Sequence, residues 1–161
     1  MTDLLNPGDT FPALDLTQVG GEVLHLPDHF AGRWGVVIFN RGSWCPFCNA
    51  QLRGFQRVLD DLTGLSAGVV SLSVDDEAAT RALVEKHRLT FPVGHSADAD
   101  KIAALTGAFV NPEPHYLQAT GFVLDPAGRV VVSVYSSGAI GRVTAEDAVG
   151  LIRHSQEHAA A

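Results

Sequence analysis

Long apolar runs alternate with a helical stripe in the first half of the chain. Residues 34–39 and 67–74 are apolar runs rich in β-branched residues, which is typical of strands buried on both faces of a sheet. Four apolar side chains between the runs recur at helical spacing: Leu52, Phe55, Leu59 and Leu62. This stripe predicts one helix that ends near Gly64. Two strands joined through such a helix are expected to lie parallel in one sheet.

Short elements are predicted on both sides of this strand–helix–strand unit. Before it, residues 11–16 and 22–26 are two extended segments joined by a Gly-Gly turn. After it, Asp75 or Asp76 can cap the next helix, whose acidic first turn and basic last turn suit the helix dipole. A short extended piece at residues 91–93 follows that helix.

The second half of the chain predicts a β-hairpin and a closing helix. Residues 98–105 form a short helix, and residues 107–119 have the composition of a long loop. Strands at residues 121–124 and 130–135 are joined by Asp-Pro-Ala-Gly, which suits a type I turn, and the last helix begins at Thr144. This order of elements is that of the thioredoxin fold. The predicted class is therefore α/β, with a central mixed sheet flanked by helices and an N-terminal β-hairpin extension.

Composition and charge narrow the class of protein. The chain has 161 residues, of which 46% are hydrophobic and 18% charged, so we expect one folded domain over residues 1–161. A formal net charge of −7 argues against nucleic acid or an anionic membrane surface as the main partner. No run approaches the roughly 18 apolar residues of a membrane span. The first residues do not resemble a secretory signal, and a cytoplasmic location is expected.

The chain contains only two cysteines, and both lie in the segment Trp-Cys-Pro-Phe-Cys. A disulfide between Cys45 and Cys48 would close too short a loop to stabilise the fold much. A structural zinc site would need two more ligands, and the seven histidines are not placed to supply them. No Gly-rich phosphate loop follows a strand. We therefore expect neither a metal nor an organic cofactor.

The position of the pair predicts redox chemistry. It falls where the first buried strand ends and the helix begins, and the free N–H groups and positive dipole of a helix N-terminus favour a thiolate. Cys45 is predicted to attack as the thiolate, with the lower pKa and the greater exposure, and Cys48 to exchange with it or resolve it. The alternative interpretation is two buried thiols that only pack. A CxxC pair in a reducing compartment favours the redox interpretation.

Residues 39–52, Phe-Asn-Arg-Gly-Ser-Trp-Cys-Pro-Phe-Cys-Asn-Ala-Gln-Leu, resemble the active-site segment of the peroxiredoxin-like branch of the alkyl hydroperoxide reductase/thiol-specific antioxidant family. Residues 8–16, 71–75 and 121–130 resemble other segments of that family, and the resemblance covers residues 5–153. It implies a thioredoxin-like fold and the reduction of peroxides or disulfides by thiols.

Two positions depart from the family's pattern. Ordinary peroxiredoxins carry Pro, three residues, Thr, two residues and Cys, whereas this chain has Ile38 and Gly42 in place of the Pro and the Thr. Ser43 or a backbone N–H would have to replace the Thr hydroxyl that orients peroxide. Ala119 occupies the position where a thioredoxin presents a cis-Pro to its substrate.

Two cations are candidates to stabilise the Cys45 thiolate. Arg41 lies four residues before Cys45, and Arg142 lies ahead of the last helix in a segment that resembles the family's. A guanidinium beside the thiolate would lower its pKa and bind the leaving oxygen of a peroxide. The alternative for both is a solvated or carboxylate-paired surface arginine.

Aromatic residues flank the cysteines and have two interpretations. Trp44 and Phe47 shape an apolar substrate surface, or Trp44 packs in the core. His115, in the Pro-rich loop, is expected to be a surface residue and not a general base.

The leading hypothesis is a thiol-dependent peroxidase that reduces hydrogen peroxide or organic hydroperoxides, with a thioredoxin-like or low-molecular-weight thiol as reductant. A thiol–disulfide oxidoreductase is the first alternative, and a non-enzymatic thiol redox sensor is the second. The sequence does not determine the oligomeric state and leaves a homodimer open.

Overall fold

The apolar runs of the sequence form the middle of a mixed sheet. The computed structural model describes residues 3–159, and within them the main sheet has seven strands. Its strands are β1 (Leu14–Gln18), β2 (Val23–Leu26), β3 (Trp34–Phe39), β4 (Ala67–Leu72), β5 (Val93–His95), β8 (Thr120–Leu124) and β9 (Val130–Tyr135). Two further strands, β6 (Val110–Asn111) and β7 (Tyr116–Leu117), lie outside it. The helices are α1 (Pro46–Arg57), α2 (Leu59–Gly64), α3 (Glu77–His87), α4 (Ala99–Thr106) and α5 (Ala145–Ala159).

The sheet has the order β2-β1-β5-β4-β3-β8-β9. β3, β4 and β5 run parallel, and the other pairs, including the β1–β2 hairpin at one edge and β8–β9 at the other, are antiparallel. The predicted mixed sheet, parallel centre and N-terminal hairpin are therefore confirmed. The second central strand is two residues shorter than predicted, since β4 ends at Leu72.

Two hydrophobic clusters cover the two faces of the sheet. Val36 and Ile38 of β3 point into one cluster, while Val37 and Phe39 point into the other, as the alternation of a strand requires. The first cluster receives side chains from α1, α2, α3 and α5, and the second from α4 and the N-terminal segment. Because both faces are covered, β3 carries a continuous apolar run. None of the helices described between residues 3 and 159 is long and apolar enough to cross a membrane.

The prediction of one continuous helix after the cysteines is wrong, because the structure has two helices there, α1 and α2. Val58 between them has φ −101° and ψ 10°, and its N–H bonds to the carbonyl of Phe55, three residues back. This tight turn interrupts the regular ladder without a Gly or Pro to signal it. The apolar stripe nevertheless stays on one face, and Leu52 and Leu62 enter the same cluster.

Residues 107–119 are not a structureless loop as predicted. β6 and β7 pair within them as a separate two-stranded ribbon, and the side-chain amide of Asn111 donates to the Pro114 carbonyl at 2.7 Å. Each strand has only two residues, too few to produce an alternating pattern.

The predicted helix caps and turn are present. Asp76, not Asp75, caps α3 by accepting the N–H of Ala79 at 2.8 Å. Thr144 accepts the N–H of Asp147 at 3.1 Å at the start of α5. The turn between β8 and β9 closes with a bond from the N–H of Gly128 to the carbonyl of Asp125 at 2.9 Å.

A matched pair of glycine variants tests this packing. A Cβ on Gly94 in β5 would lie 2.5 Å from Leu16 Cγ, whereas a Cβ on Gly150 in α5 would meet nothing within 4 Å. Gly94→Ala should lower the free energy of unfolding by about 1–3 kcal/mol through overpacking. Gly150→Ala should raise it by about 0.5–1 kcal/mol, since alanine favours the helix. Urea unfolding measures both. Equal stability of the two variants would contradict the packing of β1 against β5.

Candidate active site

The two cysteines lie at the carboxyl end of β3, where α1 begins. Cys45 is the N-cap residue, with extended φ −88° and ψ 112°, and its Sγ accepts the backbone N–H of Cys48 at 3.3 Å. Pro46 follows as the first helical residue, where its missing N–H leaves no gap in the helix ladder. The Cys45 sulfur therefore occupies the place of the side-chain oxygen that ordinarily caps a helix.

Both cysteines are free and buried. Each is 0% exposed, so the prediction that Cys45 is the more exposed of the two is wrong. The cause is tertiary, because two guanidinium groups from separate segments contact the sulfurs and cover them.

Arg41 reaches the Cys45 sulfur from the end of β3. Its Nη1 lies 3.7 Å from Cys45 Sγ, and its backbone N–H donates to Cys48 Sγ at 3.2 Å. The same guanidinium donates through Nε to Gln118 Oε1 and through Nη2 to the hydroxyl of Tyr116, both at 3.0 Å. Its carbon also lies 5.0 Å from the ring centroid of Trp44, within cation–π range.

Arg142 contacts both sulfurs from the loop before α5. Its Nη2 lies 3.0 Å from Cys48 Sγ and 3.6 Å from Cys45 Sγ. Nη1 donates to Gln51 Oε1 and Nε to the Ala139 carbonyl, each at 2.9 Å. The sequence left open which of the two arginines contacts the thiolate, and in the structure both lie against the pair.

These contacts separate the two thiols electrostatically. Burial opposes ionisation of Cys45, but hydrogen bonds from the thiol and backbone N–H of Cys48 and from Arg41, with the charge of Arg142, outweigh it and hold its pKa below the ordinary thiol value. Burial and the donation of its own proton to Cys45 raise the pKa of Cys48. The pKa of Cys45 is thus held below its ordinary value while that of Cys48 is raised, an order that favours Cys45 as the more readily ionised thiol.

Side chains from two neighbouring segments bond to the backbone of the loop before Cys45. The N–H of Ser43 donates to Asp75 Oδ2 at 2.7 Å. Gly42 has φ +150°, and a Cβ there would collide with the indole nitrogen of Trp44. Asn49 closes the loop, because its side-chain amide donates to the Ser43 carbonyl at 3.0 Å.

The aromatic neighbours are surface residues. Trp44 is 54% exposed and Phe47 50%, so the interpretation of Trp44 as core is wrong. The Trp44 ring meets Tyr116 edge to face, with centroids 5.0 Å apart. Phe47 borders a mainly apolar cavity of about 250 Å³ between α1 and the start of α5, and Gln51 and Arg142 lie on the same wall.

Comparisons with known proteins identify the family of this chain. The AhpC/TSA family model matches residues 7–133. The chain belongs to this family. The AhpC/TSA chain is 31% identical over 147 residues to the provisionally named peroxiredoxin Rv2521 of Mycobacterium tuberculosis, a match covering 88% of this chain and 92% of Rv2521. It is 28% identical over 141 residues to a peroxiredoxin of Methanothermobacter thermautotrophicus, where the match covers 84% of this chain but only 66% of the relative.

Solved structures of low sequence identity confirm the fold of the AhpC/TSA chain. Peroxidoxin BcpB of Mycobacterium tuberculosis superposes with a TM-score of 0.82 at 20% identity, over 93% of this chain and 97% of that one. AhpC of the same organism gives a TM-score of 0.80 at 21% identity, over 97% and 96%. The thioredoxin-like fold expected from the order of elements is thus confirmed.

Several residues of the site were not anticipated from the sequence. Gln51 lies one helical turn after Cys48, so the helical spacing placed it on the cysteines' side of α1. Tyr116 and Gln118 come from a segment some 70 residues away along the chain, and no local pattern connected them with the cysteines. Asp75 was considered only as a helix cap.

Ala119 and His115 lie outside the hydrogen-bond contacts of the cysteine pair. Ala119 is buried directly before β8. His115 is exposed, as predicted, and its Nε2 lies 3.1 Å from Asp100 Oδ1. Among residues 3–159, no three His, Cys, Asp or Glu side chains are grouped closely enough to hold a metal ion.

Removing either guanidinium should make Cys45 a weaker acid. In a Cys48→Ser background, where only Cys45 reacts, Arg41→Met and Arg142→Met should each raise the Cys45 pKa by about one unit or more, because each group lies within 4 Å of the sulfur. The rate of iodoacetamide alkylation against pH measures this. Since the thiolate exists above its pKa and is lost as pH falls through it, the alkylation profile moves to higher pH. Arg153→Met, an exposed change on α5, should leave it in place.

An unchanged profile in both site variants would show that the two arginines do not stabilise the thiolate. A profile that moved equally in Arg153→Met would trace the change to net charge and not to contact.

Proposed function

We propose that the protein is a thiol-dependent peroxidase that reduces hydrogen peroxide or organic hydroperoxides through Cys45 and Cys48. The observation that carries this proposal is the Cys45 sulfur at the N-terminus of α1 with a guanidinium on either side, at 3.7 Å and 3.6 Å. Membership of the AhpC/TSA family supports it. The chain spans 66% and 65% of the length of two peroxiredoxin relatives, so their activity is extended to it here as a proposal.

The first step is attack by the Cys45 thiolate on the distal oxygen of the peroxide. The O–O bond breaks, the sulfur becomes a sulfenic acid, and the electron pair leaves on the proximal oxygen as an alkoxide or hydroxide, which takes a proton from water. Negative charge develops on that leaving oxygen. Donors already aimed at the sulfur are in position to stabilise it, so Arg41 and Arg142 serve the thiolate first and the leaving group second.

Cys48 completes the cycle. Its thiol condenses with the sulfenic acid to form the Cys45–Cys48 disulfide and release water, and two external thiols then reduce the disulfide while forming their own. The two cysteines are three positions apart in sequence, and at helical spacing this gives a Cα distance of roughly 5 Å, which a disulfide can span. A thioredoxin-like protein or a low-molecular-weight thiol is the proposed reductant.

The cavity that Phe47 and Arg142 line supports organic hydroperoxides as well as hydrogen peroxide as substrates, because Arg142 also contacts both cysteine sulfurs. It holds about 250 Å³, and Phe47 and Val143 contribute apolar wall on the side of Arg142. An apolar cavity of about 150 Å³ can already take a benzene ring. The hydrocarbon part of a hydroperoxide would fit there while its peroxide group lies near the guanidinium.

A thiol–disulfide oxidoreductase is the second candidate function, favoured by the CxxC pair at a helix N-terminus. Both sulfurs are 0% exposed, however, and a disulfide on a folded protein is far larger than a peroxide. Opening the site to such a substrate requires more movement, so burial favours the peroxidase. The non-enzymatic sensor gains no support, since no described surface is tied to the oxidation state. A cytoplasmic location, a single domain and a homodimer stay predictions.

The two cysteines should fail in different ways. Cys45→Ser should abolish peroxide turnover because the attacking sulfur is gone. Cys48→Ser should still consume about one equivalent of peroxide and then stop at a sulfenic acid that a dimedone probe traps, because no second thiol condenses with it. Stopped-flow kinetics and mass spectrometry measure both.

The wild type should oxidise to a species lighter by two hydrogens, with no linked partner. A Cys45–Cys45 dimer as the main oxidised form, or full turnover in Cys48→Ser with the same reductant, would remove Cys48 from the cycle.

The rates with the two classes of oxidant separate the candidate functions. With dithiothreitol as reductant, peroxide consumption should far exceed that of free cysteine, whose thiolate is scarce at neutral pH and lacks the two guanidinium donors. Insulin disulfide reduction should be much slower than with a thioredoxin, since the Cys45 sulfur is covered. Cys45→Ser serves as the blank in both assays. Fast insulin reduction together with peroxide reactivity no better than that of free cysteine would reverse the order of the two functions.

A further inference from the structure

Each arginine at the cysteine pair is held by a glutamine. Arg41 donates to Gln118 Oε1 at 3.0 Å, and Arg142 donates to Gln51 Oε1 at 2.9 Å. The two glutamines come from different elements, one from the segment between β7 and β8 and the other from α1. The same contact, an arginine N–H donating to a glutamine side-chain oxygen, therefore occurs twice around the two sulfurs, with glutamines from different parts of the chain.

The partners of both guanidiniums are neutral. Besides the glutamines, Arg41 donates to the Tyr116 hydroxyl and Arg142 to a backbone carbonyl. Within residues 3–159 neither arginine lies within 4.0 Å of a carboxylate oxygen. A carboxylate would orient a guanidinium equally well, but it would also cancel the charge that the thiolate needs. An amide oxygen orients the group and leaves its charge available.

The glutamines are themselves held in place. Gln51 donates through Nε2 to the Val143 carbonyl at 2.8 Å, so its amide bridges α1 and the chain next to Arg142. Gln118 is only 7% exposed, and its backbone N–H donates to the Phe109 carbonyl at 2.9 Å. Free arginine side chains lose much rotamer freedom when they are ordered. Fixed acceptors confine each guanidinium to the orientation in which another of its N–H groups faces sulfur.

We infer that Gln51 and Gln118 are positioning residues, which aim Arg142 and Arg41 at the cysteine sulfurs through neutral acceptors and so keep both cations unpaired for the thiolate and for the leaving oxygen. The second half of this role rests on the proposed peroxidase function. The first half does not, because the acidity of Cys45 can be measured without any peroxide.

Isosteric charge substitution tests the neutrality of the acceptors. Gln118→Glu and Gln51→Glu keep the shape and the acceptor oxygen but place a carboxylate on the arginine. In the Cys48→Ser background, each should move the pH profile of Cys45 alkylation upward by about one pKa unit, which is a tenfold loss of thiolate below the pKa. Peroxide attack should slow by a similar factor. Gln56→Glu is the matched control, because Gln56 lies on α1 and bonds to Thr90 instead of an arginine.

A double-mutant cycle tests whether Gln118 acts through Arg41. Gln118→Met removes the acceptor without adding charge, and it should raise the Cys45 pKa in the wild-type background. The same change should have no further effect when Arg41→Met is already present, since there is no guanidinium left to aim. Circular dichroism and urea unfolding check that each variant is folded. Gln51→Met with Arg142→Met forms the corresponding cycle.

The outcomes separate the inference from a purely structural role and from the proposed function. Three results together support the inference. The Cys45 pKa rises in both Gln→Glu variants, it stays unchanged in Gln56→Glu, and the effects in each double-mutant cycle are not additive. Two results would overturn the inference. One is an unchanged pH profile of Cys45 alkylation in the Gln→Glu variants. The other is a Gln→Met effect that stays equally large when the partner arginine has already been replaced. Failure of peroxidase activity in the wild type together with the expected pKa changes would reject the peroxidase and keep the positioning role.

Discussion

A buried thiolate is costly, and the active-site end of this protein is arranged around that cost. Taking a charged sulfur out of water raises its pKa unless donors replace the lost solvent. Cys45 receives those donors from the N-terminus of α1, from Arg41 at the end of β3 and from Arg142 ahead of α5. The positions of three separate elements are thus tied to one atom, and the sheet supplies the rigid base from which each element starts.

The same arrangement makes the two thiols unequal. Burial and the hydrogen bond to the Cys45 sulfur raise the pKa of Cys48, whereas the hydrogen bonds that Cys45 receives lower its own pKa despite burial. A thiolate beside a protonated thiol is the starting state that attack and later condensation require.

The family relationship coexists with a changed site. Solved relatives share the fold at about one fifth identity, with TM-scores of 0.82 and 0.80. In this chain Gly42 stands where ordinary peroxiredoxins have the threonine that orients peroxide, and its positive φ and the indole against it leave no room for a side chain. The side-chain donors near the Cys45 sulfur in this chain are Arg41 and Arg142, at 3.7 Å and 3.6 Å.

The sequence by itself determined the order of elements and the place of the reactive pair, because these depend on local signals. Each of these features, the apolar runs, the helix caps and the junction of β3 with α1, can be recognised from residues adjacent in the sequence. The sequence did not predict the break at Val58 or the β6–β7 ribbon. A single tight turn and strands of two residues are too short to produce a periodic pattern of apolar residues. Only the tertiary structure decided that both sulfurs are buried and that Gln118 meets Arg41. The contact of Gln118 with Arg41 joins residues 77 positions apart, and those of Arg142 with the Cys45 and Cys48 sulfurs join residues 97 and 94 positions apart, so no local pattern in the sequence indicates them.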